Sequence, residues 1–201
     1  EWLAKKLDYP KYIKSGHYVI KDGMNNNQLL NMLRSGSQIP IDFTFNNIRT
    51  IEQFAKEADD QLELDSLSIL KALNEDSLLK EMGFKKESFA SLFIPNTYEL
   101  YWNINPKDFI EKMTNEYKKF WNDTRLQKAK EINLTPIEVS ILASIVDKET
   151  AKNSEMPRIA GVYLNRLKKN WLLQADPTLI FALGDFEIKR VLDVHKKTES
   201  P

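Results

Sequence analysis

A glutamate that falls among isoleucines is the residue of this chain with the clearest chemical use. From Thr135 to about Thr150 the apolar residues recur at helical intervals. At about 100° per residue, Ile137, Val139, Ile141, Leu142, Ile145 and Val146 cover an arc of roughly 200°, with Glu149 near its middle. The spacing thus puts a carboxyl where a core is expected. An unpaired ionised carboxylate is costly to bury, so such a group is expected to hold its proton near neutral pH. A protonated carboxyl in an apolar setting is a proton donor, the part that the acid plays in glycosidic cleavage. Periodicity leaves a second reading open: Glu149 sits at the end of the helix, where an apolar stripe runs out and a side chain reaches solvent.

Neighbouring acids have simpler uses. Thr135-Pro136-Ile137-Glu138 has capping-box spacing with Pro at the first helical position, which assigns Glu138 to the helix start. Asp147 projects from the opposite face and reads as a solvated charge. Downstream, Gln174, Asp176 and Thr178 lie in a turn-rich stretch, and Asn165 lies in the preceding helical segment. Side chains of these types hold sugar hydroxyls and acetamido groups, but each also has a structural reading. Asp176-Pro177 is a helix N-terminus signal with Asp as the cap, and Asn165 equally suits a buried hydrogen bond that orients neighbouring turns. Tyr98, with Tyr101 and Trp102, offers either a face for sugar stacking or aromatic core.

Several chemistries are excluded. There is no cysteine, hence no thiolate nucleophile, disulfide or Cys-based metal site. Gly-rich phosphate loops, paired metal-type histidines and nucleophile elbows are absent, and His17 and His195 stand far apart. Basic and acidic residues balance at 29 each, and Lys107, Lys112, Lys118 and Lys119 are interleaved with acids, so no nucleic-acid track is expected. No run approaches the roughly 18 to 20 apolar residues of a membrane span.

The elements that must position these residues read as α+β. Tyr18-Val19-Ile20 suggests a strand, Asp22-Gly23 a turn, Asn25 to Arg34 a helix, and alternating Ile39, Ile41, Phe43 and Phe45 a second strand, together a small β-α-β unit. Short helices follow to Phe89. The aromatic, Pro-interrupted run Phe93 to Trp102 reads as a loop or short packed strand, and a boundary is expected just before it, dividing 1–91 from 92–201. Beyond it the spacing predicts a long helix from Pro106 to about Ile132, the Glu149 helix, another from Ser154 to Lys169, and the Gln174 turn.

Four runs in order, Phe93 to Tyr98, Ala143 to Thr150, Val162 to Leu167 and Leu173 to Thr178, together resemble the MltG-like (YceG-like) endolytic murein transglycosylases over nearly the whole chain. In that family the glutamate preceding a Thr is catalytic, which maps onto Glu149. Gly16-His17-Tyr18 and the following β-α-β unit resemble the family's LysM-like module, so 1–91 is expected to be that module with its following short helices. The mostly helical 92–201 is expected to be the catalytic portion, truncated at its C-terminus because the family's domain continues past Ser200-Pro201. The resemblance implies a lytic cut between N-acetylmuramic acid and N-acetylglucosamine within peptidoglycan glycan strands, leaving 1,6-anhydro ends. It implies Glu149 as acid and then base, with Asn165, Gln174, Asp176, Thr178 and Tyr98 as substrate-binding candidates. The nucleophile belongs to the substrate, so no metal and no cofactor is required. It also implies a single N-terminal membrane span outside this sequence, a catalytic part on the outer side of the cytoplasmic membrane, and cell-wall synthesis proteins as further partners. The competing expectation is a non-catalytic peptidoglycan-binding or scaffold protein in which Glu149 is only buried and paired.

Overall fold

Phe43 and Phe45 alternate with Asp42 and Thr44, and this period of two makes a strand with one apolar face, β1, Ile41–Phe45. Its partner is β2, Asn96–Leu100, which runs antiparallel with Phe43 opposite Tyr98 and Ile41 opposite Leu100. Phe43, Phe45, Tyr98 and Leu100 are buried on one face, while the Thr44 and Thr97 hydroxyls meet at 2.8 Å on the exposed one. The computed structural model describes residues 1–188, 190–192 and 194–195. It divides into two units, Glu1–Phe120 and Trp121–Pro201.

The helices of the first unit are α1 (Trp2–Lys6), α2 (Asn26–Ser35), α3 (Ile51–Gln61), which packs on β1, α4 (Ser66–Glu75), α5 (Ser77–Glu81) and α6 (Pro106–Phe120). Local side chains start several of them. Asn25 and Gln28 form a reciprocal capping box on α2, and Thr50, Asp65 and Asp76 cap α3, α4 and α5. The core is aromatic: Phe54 of α3 stacks on Phe93 at 3.7 Å and on Phe109 of α6 at 5.8 Å, and Phe109 meets Phe43 edge-on. On the solvent side of α6, Lys112 and Lys119 both pair with Glu116, at 3.2 and 2.8 Å.

Two expected elements differ. Residues 18–20 form no strand, so the β-α-β unit is not made as such. Pro40 has no N–H to donate, β1 pairs with β2 instead, and Val19 and Ile20 stay exposed with no apolar surface to cover them. What links this segment to the next is the Ile39 N–H donating to the His17 carbonyl at 2.9 Å. The long helix from Pro106 is also interrupted. α6 stops at Phe120, and α7 (Asp123–Glu131) starts afresh where the Asn122 side chain accepts from the Arg125 N–H, a short polar side chain competing with the helix backbone.

In the second unit α8 (Pro136–Glu149) packs on α7, on α9 (Met156–Lys168) and on α10 (Asp176–Leu183). Its expected start is found: Thr135 accepts from the Glu138 N–H, Glu138 accepts from the Thr135 N–H, and Pro136 opens the helix. The core comprises Leu142, Ile145, Val146, Tyr163 and Ala175, with Leu134, Met156, Ile159, Ala160, Leu164 and Leu173 around it. Among the described residues no helix is long and apolar enough to cross a membrane.

Burial pushes the Tyr117 hydroxyl up to about 12, and burial followed by the Glu116 charge does the same for Tyr98. Both folded values lie above the ordinary value of about 10. The fold therefore retains these protons more tightly than the unfolded chain, and their contribution is complete below about pH 10 and lost as pH rises towards 12. In an alkaline titration their tyrosinate absorbance is expected to appear only together with loss of the helical circular dichroism signal. Ionisation of both rings with the helix signal intact would show that they are not enclosed as described.

Candidate active site

The site grows from the way α8 runs out. Leu142, Ile145 and Val146 bury a narrower face than the arc suggested, since Ile141 on its edge is 44 % exposed. Glu149 continues that face one turn beyond Ile145 and Val146, at the last residue of the helix, where the core has ended. Its direction is as expected; its burial is not. The side chain is exposed, because α8 projects past the cover that α9 and α10 give its middle.

Glu149 is nevertheless held. The Tyr163 hydroxyl, on α9, donates to Glu149 Oε1 at 2.7 Å. The Tyr163 ring is only 6 % exposed, so packing fixes the donor. Burial first, and then the bond to Glu149, push this hydroxyl up to about 12, which keeps it a neutral donor over the whole physiological range.

Around the carboxyl lies an open cleft of about 380 Å³ lined by Glu149, Ile159, Val162, Tyr163, Arg166, Gln174 and Asp176. Ile159, Val162, Tyr163 and Arg166 recur at helical intervals and form one face of α9. The polar wall comes from the chain entering α10. There Gln174 and Asp176 are exposed on either side of Ala175, which is 1 % exposed in the core. An Arg166 Nη1 hydrogen bond to the Leu173 carbonyl ties that segment to α9. Gln174 has φ 52°, in the left-handed region, a conformation that costs a non-glycine residue about 1–2 kcal/mol.

The sequence candidates separate accordingly. Glu149, Gln174 and Asp176 come together in the cleft. Asn165 is exposed on α9 and does not line it, since two residues beyond Tyr163 turns its side chain by about 200°; the buried hydrogen bond is not found either. Thr178 also lies outside the lining, its hydroxyl donating to the Ala175 carbonyl at 2.7 Å. Tyr98 belongs to the first unit, where its ring is 5 % exposed and stacked on Phe45 at 5.8 Å, with its hydroxyl donating to the Ile94 carbonyl. A ring so enclosed presents no face to a sugar. Asp176 is not the cap of α10: Ala175 takes that position, and Asp176 and Pro177 open the helix, leaving the carboxylate to the cleft. Asp147 is exposed and pairs with Lys148 at 2.9 Å.

Sequence reasoning passed over Tyr163 and Arg166, although both lie in the run that carried Asn165. The available signal was their three-residue spacing, continued backwards by Ile159, which puts them on the face that meets α8.

The whole chain, residues 1–201, matches the model of the YceG-like family, and the protein belongs to that family. It is 23 % identical over 217 aligned residues to the endolytic murein transglycosylase of Bacillus subtilis, covering 96 % of this chain and 59 % of that protein. It is 27 % identical over 210 residues to the endolytic murein transglycosylase of Streptococcus pneumoniae strain D39, covering 91 % of this chain and 38 % of that one. The chain thus spans less than two thirds of these curated relatives. The fold is shared with a yceG-like protein of Listeria monocytogenes known from a crystal structure: TM-score 0.68 and 21 % identity, over 100 % of this chain and 70 % of that one.

The strained backbone at Gln174 gives a prediction that separates fold from cleft chemistry. Gln174→Gly keeps the left-handed turn without its steric cost, so its melting temperature is expected to match or exceed that of the parent. Gln174→Val, β-branched, is expected to be less stable by on the order of 1–2 kcal/mol. Thermal denaturation of the two variants checks this, and a valine variant as stable as the glycine one rules out the strained turn.

Proposed function

We propose that this chain carries the catalytic Glu of an endolytic lytic transglycosylase, and that it cuts peptidoglycan between N-acetylmuramic acid and N-acetylglucosamine inside glycan strands. The observation that supports this best is a fixed carboxyl, Glu149, in an open cleft whose opposite wall carries Gln174 and Asp176. Membership of the YceG-like family and the names of the Bacillus and Streptococcus relatives support the same substrate and reaction.

In this reading Glu149 protonates the N-acetylglucosamine O4 as the bond from muramic C1 to that oxygen breaks. The resulting carboxylate then removes the proton from the muramic C6 hydroxyl as O6 bonds to C1, which closes the 1,6-anhydro ring and regenerates the acid. Gln174 and Asp176 hold hydroxyl or acetamido groups of the bound sugars. Asn165, Thr178 and Tyr98 are left out of the substrate-binding set. Because Glu149 is exposed in the free protein, exclusion of water falls to the glycan strand lying across the cleft. Neither step calls for a metal or a cofactor.

The chemistry is assigned to the second unit, within the 92–201 portion. The LysM-like character expected of 1–91 is kept as part of this proposal, in which the N-terminal part would hold the glycan strand, although the β-α-β unit at 18–45 that suggested it is not formed as such. The longer protein is proposed to work at the cell wall, outside the cytoplasmic membrane, tethered by one N-terminal span and acting alongside wall-synthesis proteins.

Glu149 is paired but exposed rather than buried, which removes the apolar setting that first suggested an acid and so keeps one rival in play, a glycan-binding protein without catalysis. Incubation of the full-length protein and its Glu149→Gln variant with purified glycan strands, followed by mass spectrometry of the ends, separates the two. The parent is expected to produce 1,6-anhydro ends, and the variant to lose about 10²–10⁴-fold in rate, the usual contribution of a positioned acid–base group. Equal anhydro-end production by both proteins removes Glu149 from the mechanism, and none from either leaves the binding protein.

A further inference from the structure

Tyr163 has no part in the two steps given above, yet its hydroxyl donates to Glu149 Oε1 at 2.7 Å. We infer that Tyr163 is a positioning residue that holds Glu149 Oε1, so that Oε2 carries the proton in both steps of the cut; this rests on the proposed transglycosylase reading. Three observations bear it. The ring is locked among Leu142, Ile145, Val146 and Ala175, so the donor is rigid, whereas Glu149, exposed at the end of α8, has no packing of its own to orient it. Tyr163 lines the same cleft as Glu149, Gln174 and Asp176, so it stands at the cleft proposed to take the substrate. Finally, a tyrosine hydroxyl that stays neutral can donate to Oε1 whether or not Oε2 is protonated, so the carboxyl keeps its orientation when it gives up its proton and when it takes one back.

The proton balance follows. The Oε2 proton passes to O4 as the C1–O4 bond breaks, and the O6 proton returns to Oε2 as O6–C1 forms. Tyr163 neither gains nor loses a proton. Without it the carboxylate swings between rotamers. The second step, in which a correctly placed base must activate O6 before water reaches C1, then suffers most, and water capture leaves an ordinary reducing end.

The test uses the full-length protein and Tyr163→Phe, which keeps the ring and removes the hydroxyl. On purified glycan strands, kcat is expected to fall about tenfold or more, as for a lost hydrogen bond to a charged group, with KM within about twofold. The share of non-anhydro reducing ends per cut is expected to rise. A crystal structure of the variant is expected to have Glu149 spread over more than one rotamer. Unchanged kcat and end ratio in Tyr163→Phe overturn the inference while leaving the Glu149 reading intact. A rate loss that merely tracks a lower folded fraction, with the end ratio unchanged, overturns it too, since product partitioning per turnover does not depend on how much protein is folded. Absence of anhydro ends from the parent protein removes the proposed function and this inference with it.

Discussion

The seating of the Tyr163 ring against α8 is the contact on which the site depends. Leu142, Ile145 and Val146 present a narrow apolar face, and Tyr163 is the aromatic side chain that α9 inserts against it. Burying a large apolar side chain is worth about 1.5–3 kcal/mol, against a net of about 0.5–1.5 kcal/mol for a typical hydrogen bond. Packing therefore decides where the hydroxyl goes, and the carboxyl follows it. The same periodicity that buries Ile145 and Val146 carries Glu149 onto the same side one turn later, past the edge of the core. An exposed carboxyl with a buried partner is the result.

The opposite wall of the cleft obeys a similar logic. Between Leu173 and Asp176 the chain alternates inward and outward, and Ala175 is small enough to sit fully in the core. That anchor throws Gln174 and Asp176 outward, and the tie from Arg166 to the Leu173 carbonyl holds the segment against α9. The left-handed backbone at Gln174 is the local cost of this arrangement, and the burial of Ala175 and Leu173 is available to offset it. A cleft wall made by one short segment, anchored by one methyl group and one guanidinium, leaves its polar side chains free for contacts outside the fold.

Much of this was readable from residue types. Strand β1, the capping boxes at Asn25 and Thr135, the helix carrying Glu149 and the side on which Glu149 emerges all follow from local periodicity and short-range hydrogen bonds, which act within a few residues. What periodicity could not supply was the extent of cover over each element. The arc on α8 predicted a direction, but α9 and α10 cover only its middle, so Glu149 emerges exposed. Val19 and Ile20 have strand-forming side chains, yet pairing is a tertiary matter and β1 has its partner in β2. Asn165 is of a residue type that holds sugar groups, whereas Tyr163 and Arg166 are marked only by where they fall around α9. Helical phase relative to α8 is the quantity that decides, and it turns Tyr163 and Arg166 to the cleft and Asn165 away from it. The break at Asn122 comes from a short polar side chain that caps a new helix inside an otherwise helical pattern, and the one-residue offset at Asp176 is a choice between neighbouring caps.

The presence of Asp176 beside Glu149 bears on the type of glycosidic cleavage. Two carboxyl groups in one cleft are also the equipment of a hydrolase, in which the second serves as nucleophile or as base for water. The placement of Asp176 argues for a different part. It is the first residue of α10, where an anion lies beside the unpaired N–H groups of the helix start and is favoured by the helix dipole. Arg166 lines the same cleft. A carboxyl placed in this way is suited, in the proposed reaction, to accept hydrogen bonds from sugar groups. Glu149, which also lines the cleft, has instead the neutral Tyr163 hydroxyl as donor on one oxygen. In the proposed reaction this asymmetry assigns the proton traffic to Glu149 and the holding of substrate to Asp176, the division that a cut using the sugar's own hydroxyl as nucleophile requires.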